Sequence, residues 1–247
     1  MNYHQQIQGW IYKILENKKM QEFLHEQGFS YGKRHFRLFC YSRLLGRSSY
    51  DRKNGQITFE PPVQLYLSSP WTEFLQNIMY GIMNQLDIRL GTNNLQIGEV
   101  SIEPTPDFTE RNEYQIRMLS PVTIYSTLFT HDGRKKTYYY SPIESEFNCL
   151  IRENLIKKAK AFYSQDWSRL PFNITPFGNS QSYQQKIINY KGTIIKGWIG
   201  NFKISGDPLM MKLSYEAGLG GKNGQGFGMF SLIPDRIALN QTKGGDR

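Results

Sequence analysis

The stretch from Glu216 to Leu232, EAGLGGKNGQGFGMFSL, constrains this chain more than any other. Six glycines fall within eleven positions: Gly218, Gly220, Gly221, Gly224, Gly226 and Gly228. Glycine tolerates positive φ and lets another backbone or a ligand come close. Residues 208–217 read as a short helix opened by Pro208, and residues 227–233 as a strand. The order helix, loop, strand excludes a dinucleotide fingerprint, which needs strand, loop, helix with the spacing G-x-G-x-x-G. Lys222 is followed by Asn223, so the Ser or Thr of a nucleotide-triphosphate phosphate loop is missing. Two readings remain. The segment is a sharp turn between packed elements, or a flexible, cationic loop whose exposed N–H groups and Lys222 suit a phosphate backbone.

Charge favours the second reading. The chain has 247 residues and a net charge of +9, unevenly spread. Residues 1–60 hold ten basic and five acidic side chains, whereas residues 61–132 hold three and eight. Residues 133–170 carry eight against four, and residues 186–228 six against two. Basic blocks flanking an acidic one fit a polyanion groove better than a uniformly solvated surface. The length suits one large domain or two of about 120 residues. No run is long and apolar enough for a membrane span, and the polar start Met1-Asn-Tyr-His-Gln-Gln shows no signal peptide. Cys40 and Cys149 form no metal or redox spacing, which fits a reducing cytoplasm.

Hydrophobic periodicity predicts two short helices, residues 5–16 and one around Met20, Phe23 and Leu24 that Gly28 ends. Strands follow at 36–42, 56–59 and 63–67, then a helix from Trp71 to about Leu86 and strands at 88–90 and 95–104. The second half repeats the plan: strands at 114–118, 122–126 and 137–140, and a long helix from Pro142 to Phe162. A hairpin around Lys191-Gly192 joins strands 186–190 and 193–199, and a strand at 201–205 precedes the Pro208 helix. The mixture predicts an α+β chain of two tandem units, for which β-α-β-β-α-β is the natural template.

The motif Gly218-Leu-Gly-Gly-Lys-Asn-Gly-Gln-Gly-Phe-Gly228, after a short helix near the C-terminus, resembles the signature of the RAMP superfamily of CRISPR RNA-binding proteins. Within it the chain is similar to the Cas-six family of repeat-cutting endoribonucleases. Gln8-Gly-Trp-Ile-Tyr12, Phe23-Leu-His-Glu26, Arg37-Leu-Phe-Cys-Tyr-Ser42, Leu119-Ser-Pro-Val-Thr123 and Ser141-Pro-Ile-Glu144 carry the likeness across nearly the whole chain. The resemblance implies two tandem ferredoxin-like (RRM-like) domains holding RNA on a basic face. They would span residues 1–110 and 111–233, with the glycine-rich loop at 216–228 and a tail at 234–247. The family opens with a strand that is absent ahead of the first helix here, so the expectation is either that the start of the chain has been lost or that the first sheet is rearranged. The implied partner is CRISPR repeat RNA, along with other CRISPR effector subunits, and no cofactor or metal is implied.

RNA can be cut without metal when its own 2′-hydroxyl attacks the adjacent phosphate. Histidine suits the proton transfers, arginine or lysine the developing charge, and tyrosine a hydrogen bond to the 2′-hydroxyl or phosphate. Taken alone, His25 is a helix-end histidine near the cluster Lys33-Arg34-His35, and His35 is its rival. The resemblance assigns catalysis to Tyr12 and His25, with Arg37 standing where the family has a lysine and Lys33 or Arg34 as substitutes for that third role. RNA contacts are expected from Lys33, Arg34, Gly220, Gly221, Lys222, Gly224 and Gly226. Tyr12 and His25 lie thirteen residues apart. On one straight helix they would point about 140° apart, so a break near Asn17-Lys18-Lys19 is required. No D-x-D motif offers a cluster of carboxylates for a metal-dependent nuclease. The rival functions are a non-catalytic RNA-binding subunit of a CRISPR effector and, further off, an unrelated single-stranded nucleic-acid module.

Overall fold

The structure is a computed structural model that describes residues 3–85, 87–129, 131–178 and 183–234. The expected tail beyond Pro234 lies outside the described residues.

The chain opens with two helices, α1 (Tyr3–Ile14) and α2 (Lys18–Glu26). Ile7, Ile11 and Ile14 form the buried stripe of α1, the spacing an amphipathic helix requires. Asn17 makes the break between them: its side chain caps α2 by accepting from Met20 N. Gly28 closes α2 in the left-handed region at φ 62, where a Cβ would sit 2.5 Å from Phe36 O. A hairpin of β1 (Phe29–Tyr31) and β2 (Arg34–Phe36) follows.

The strand expected over 36–42 is broken. Leu38 takes a left-handed φ of 51, a costly conformation for a branched side chain, and β3 (Cys40–Tyr41) starts only beyond it. β4 (Ser48–Asp51) and β5 (Gln56–Phe59) form a second hairpin. The strand expected at 63–67 shrinks to β6 (Leu67–Ser68) and a bridge from Gln64 to Leu45, because Tyr66 N donates to the Ser42 side-chain hydroxyl at 3.0 Å rather than to a backbone carbonyl and so interrupts the ladder. α3 (Thr72–Asn84) leads to β7 (Asp87–Leu90) and β8 (Asn93–Gln96), which ends well short of the expected 104. The strands of this half pair only in twos among the described residues. Its core packs Ile7, Ile11 and Leu24 with Phe39, Tyr41 and Phe74.

The second half is more regular. β9 (Glu113–Met118) is followed by a hairpin of β10 (Tyr125–Phe129) and β11 (Lys135–Tyr139), then α4 (Ser145–Tyr163). β12 (Phe172–Pro176), which no periodicity announced, precedes β13 (Tyr183–Tyr190) and the long β14 (Thr193–Gly206). α5 (Pro208–Ala217) has Asp207 as its cap and Pro208 in its first turn. A short 3-10 turn, Asn223–Gln225, and β15 (Phe230–Leu232) complete the order. The antiparallel sheet runs β12-β14-β9-β15, with β13 also on β14. Setting hairpin insertions aside, this is the β-α-β-β-α-β arrangement.

The two halves interlock. Phe29 of β1 packs edge-to-face on Phe162 of α4 at 5.1 Å, and Lys160 lies 5.3 Å above the Tyr31 ring. Leu38 belongs to the core of the second half. His4 extends the α1 stripe into the glycine loop and stacks on Phe227 at 5.9 Å. Burial drives its imidazole down to about 4, opposed by a backbone contact with Gln225 and assisted by the charge of Arg43.

That burial sets a pH dependence. The unfolded chain holds an ordinary imidazole near 6.5, so between about 6.5 and 4 it binds more protons than the folded chain. The contribution of His4 is complete above pH 6.5 and is lost as pH falls to about 4, a change of about 3 kcal/mol. Melting temperature should fall across this window, and His4→Leu should flatten the fall. Parallel declines in both proteins would remove His4 as the source.

Candidate active site and nucleic-acid cleft

The break at Asn17 turns α2 back beside α1, and Gln21 Nε2 fixes it there by donating to Tyr12 O at 2.9 Å. Tyr12 and His25 therefore meet with ring centroids 6.3 Å apart and planes at 69°. Arg37 completes the group. Its two terminal nitrogens donate to His25 O at 2.9 Å and Gln27 O at 2.8 Å, occupying carbonyls that the end of α2 leaves open. Burial pushes the Tyr12 phenol up, and the Arg37 guanidinium pulls it partway back by charge and by a hydrogen bond. The phenol is therefore neutral and able to donate near neutral pH. His25 is exposed, and Tyr12 is half-buried.

These three side chains open on a cleft of about 640 Å³ between the two halves. Arg34, Arg37, Lys158, Lys191 and Lys222 line it, and among the described residues no carboxylate does. The charge blocks of the sequence explain this. The acidic segment 61–132 contributes only Tyr125 to the wall, whereas each basic segment contributes at least one cation. Lys222 stands 5.1 Å above the Tyr125 ring. Lys33 lies in the β1–β2 turn and does not line the cleft. His35 does line it, with Nδ1 3.0 Å from Ser30 Oγ and 3.1 Å from Gln27 O.

The glycine loop differs from the flexible, exposed loop expected from its composition. The N–H groups of Leu219, Gly221, Gln225, Gly226 and Gly228 all donate to protein carbonyls. Asn223 sits inside the loop and donates to Leu219 O and Phe227 O, each at 3.1 Å. The loop is a packed wall, and its glycines divide by environment. Gly220 has φ +67, and a Cβ there would lie 2.3 Å from Thr123 O. Gly226 faces His4 and Tyr41 rather than the cleft. Gly221 and Gly224 do line the cleft, beside Tyr125 and Arg37 respectively.

Sequence reasoning missed Lys158, Lys191 and Gln8 in this wall. Lys191 was visible as half of the Lys191-Gly192 turn, where it takes φ 49. Lys158 occupies the apolar stripe of α4 among Phe147, Ile151 and Leu155, a position that charge alone does not distinguish. Among the described residues, no three His, Cys, Asp or Glu side chains are placed to hold a metal ion together, and no helix is long and apolar enough to cross a membrane.

Comparison with known proteins gives concordant results for both halves. Residues 1–101 match the family model "CRISPR-associated protein Cas6, N-terminal", and residues 102–232 match "CRISPR associated protein Cas6, C-terminal". The "CRISPR-associated endoribonuclease Cas6 1" of Methanocaldococcus jannaschii is 29% identical over 224 residues, covering 88% of this chain and 84% of that protein. A solved "CRISPR associated protein Cas6" superposes with TM-score 0.76 at 27% identity, covering 95% of this chain and 92% of the other. A Cas6-related protein from Pyrococcus furiosus superposes with TM-score 0.80 at 18% identity, covering 96% and 92%.

Gly220 and Gly221 separate the structural from the cleft-lining role. Gly220→Ala forces a side chain into Thr123 O at a positive φ and should cost about 1–3 kcal/mol of stability. Gly221 has ordinary φ, and its nearest neighbour is the Tyr125 ring edge at 3.4 Å, so Gly221→Ala should melt with the wild type. Equal melting of both variants would show that the loop has room it does not display.

Proposed function

The chain belongs to the Cas6 family, and from that premise we propose that it is an endoribonuclease that cuts CRISPR repeat RNA without a metal ion. The observation that carries this reading is the Tyr12–His25–Arg37 group at a cleft lined by cations and, among the described residues, no carboxylate. The 2′-hydroxyl attacks the neighbouring phosphate, the bond to the 5′-oxygen breaks, and the products are a cyclic phosphate and a 5′-hydroxyl. His25, exposed at the cleft, serves the proton transfers. The neutral Tyr12 phenol donates to the 2′-oxygen or a phosphate oxygen. Arg37 fixes the backbone that carries His25, and its charge offsets that developing on the phosphate. Arginine reaches the two carbonyls with separate nitrogens of one planar fork, a geometry that the ammonium of a lysine does not reproduce. Arg34, Lys191 and Lys222 hold flanking phosphates, with Gly221 and Gly224 giving the backbone room to approach. Gly220 and Gly226 support the loop from within, and Lys33 stands outside the cleft. The cellular setting proposed is the cytoplasm, beside other CRISPR effector subunits.

Cleavage of repeat RNA in EDTA tests the reading. The wild type should cut, and His25→Ala should cut roughly 10²–10⁴-fold more slowly with RNA affinity nearly unchanged. A wild type that binds RNA but never cuts it is a binding subunit instead. An active His25→Ala beside an inactive His35→Ala moves the proton transfers to His35.

Salt dependence tests the cleft separately. If Arg34, Arg37, Lys191 and Lys222 each neutralise one phosphate of a single strand, log affinity against log salt should slope near −3 (about −0.7 per phosphate). Lys222→Met should bring the slope about 0.7 closer to zero without moving the cut. A wild-type slope near zero would remove the phosphate contacts.

A further inference from the structure

Gln8 lies one helical turn before Tyr12 on α1, and both line the cleft. Positions i and i+4 share a helix face, so whatever holds the Gln8 side chain also bears on Tyr12. Its amide bridges the glycine loop and the β13–β14 turn. Nε2 donates to Gly224 O at 2.6 Å, and Oε1 accepts from the Tyr190 hydroxyl. The chemistry fixes the orientation of this amide. A backbone carbonyl only accepts, so the amide nitrogen must face Gly224, which leaves Oε1 for the Tyr190 hydrogen. Burial pushes the Tyr190 phenol up to about 12, so that hydrogen is present at working pH.

Both partners of Gln8 adjoin cations of the cleft. Gly224 lies two residues beyond Lys222, and Tyr190 immediately precedes Lys191. The loop and the hairpin turn belong to the second half of the chain, whereas α1 belongs to the first. Among the described residues, Gln8 is the side chain of α1 seen to hydrogen-bond both of these C-terminal elements.

We propose that Gln8 is a positioning residue that ties the phosphate-holding lip, the glycine loop and the Lys191 turn, to the helix that presents Tyr12. The packed loop and the hairpin turn hold the Gly224 carbonyl and the Tyr190 hydroxyl, and Gln8 carries their position to Tyr12 one turn away, so that RNA seated on the lip and Tyr12 share one frame. The proposal rests on the cleavage reading above. It goes beyond it by assigning the coupling between binding and chemistry to a residue that touches neither the scissile bond nor a phosphate.

The test measures repeat-RNA affinity, single-turnover cleavage at saturating RNA, and melting temperature for the wild type, Gln8→Leu, Tyr190→Phe and the double variant. Gln8→Leu keeps the bulk of the side chain but neither hydrogen bond. It should cut at least about tenfold more slowly once saturated, with affinity within about threefold of wild type. Tyr190→Phe removes one hydroxyl from the far end of the bridge and should slow cleavage in the same sense but less. Added to Gln8→Leu it should cost nothing more, because the bridge is already gone. Tyr190→Phe alone, judged by the same rate and affinity, decides the matter if Gln8→Leu does not fold.

Three results would overturn the proposal: wild-type saturated rates in the variants, a loss of affinity with an unchanged saturated rate, or losses of rate that only track melting temperature. A wild type that fails to cut at all overturns the cleavage reading instead, so the two failures are distinguishable.

Discussion

The architecture depends on how the C-terminal carbonyls of α5 are satisfied. A helix end leaves its last carbonyls without intrahelical partners, and here the donors come from both halves of the chain. Ser68 of β6 donates to Tyr215 O and Glu216 O at 3.2 and 3.0 Å, and the Cys40 thiol of β3 also faces Glu216 O. Lys158 of α4 donates to Ala217 O, Gly218 O and Gly220 O at 3.4, 2.6 and 3.1 Å. Lys158 is 1% exposed. Burial draws its ammonium down to about 7, and stripping its water costs several kcal/mol. Three carbonyl acceptors and the negative end of the helix dipole oppose that cost. Burial also pushes the Cys40 thiol up to about 11, so the neighbour of Lys158 is neutral and the carbonyls are what answer its charge.

This arrangement gives the glycine loop one shape. The carbonyls of residues 217, 218 and 220 converge on one ammonium, while Asn223 clamps Leu219 and Phe227. A chain with side chains at Gly218 or Gly220 would collide with Cys40 or Thr123. The glycines are therefore needed first for folding. Only after that does the loop offer Gly221, Lys222 and Gly224 to the cleft. The two readings left open by the sequence, packed turn and phosphate-facing loop, are assigned to different residues of the same segment.

Much of this was legible because local rules and tertiary demands coincide. Pro208 with Asp207 fixed α5, the Lys191-Gly192 turn fixed the β13–β14 hairpin, and Asn17 fixed the break that Tyr12 and His25 require. The segregation of charge foretold a cleft lined by cations, with no acidic side chain in its wall among the described residues. The failures share one cause: tertiary contacts override a strand-like pattern. Residues 36–42 alternate like a strand, yet Leu38 is pulled into the second core and kinks the backbone. At 63–67 the pairing is interrupted because Tyr66 N donates to the Ser42 hydroxyl instead of a strand carbonyl, and β12 gains its ladder from β14 rather than from its own pattern. Lys158 was invisible for the opposite reason. A lysine between Leu155 and Ala159 looks like a solvated face until the carbonyls it serves, nearly sixty residues away, are known.

The same interlocking makes the candidate site a property of the interface rather than of either half. His25 hangs on the end of α2, whose last carbonyls are held by Arg37. Arg37 in turn packs against Gly224 of the loop. The hairpin that follows His25 is braced on α4 through Phe29 and Phe162, and α4 is the helix that supplies Lys158. Two paths of contacts therefore run from the buried ammonium to the C-terminal end of α2, one through the loop and one through the hairpin. General acid–base work tolerates little misplacement, and a histidine on an exposed helix end would ordinarily be mobile. Holding it from the second half ties its position to the packing of the two halves, so each half lacks part of the candidate site that the other completes.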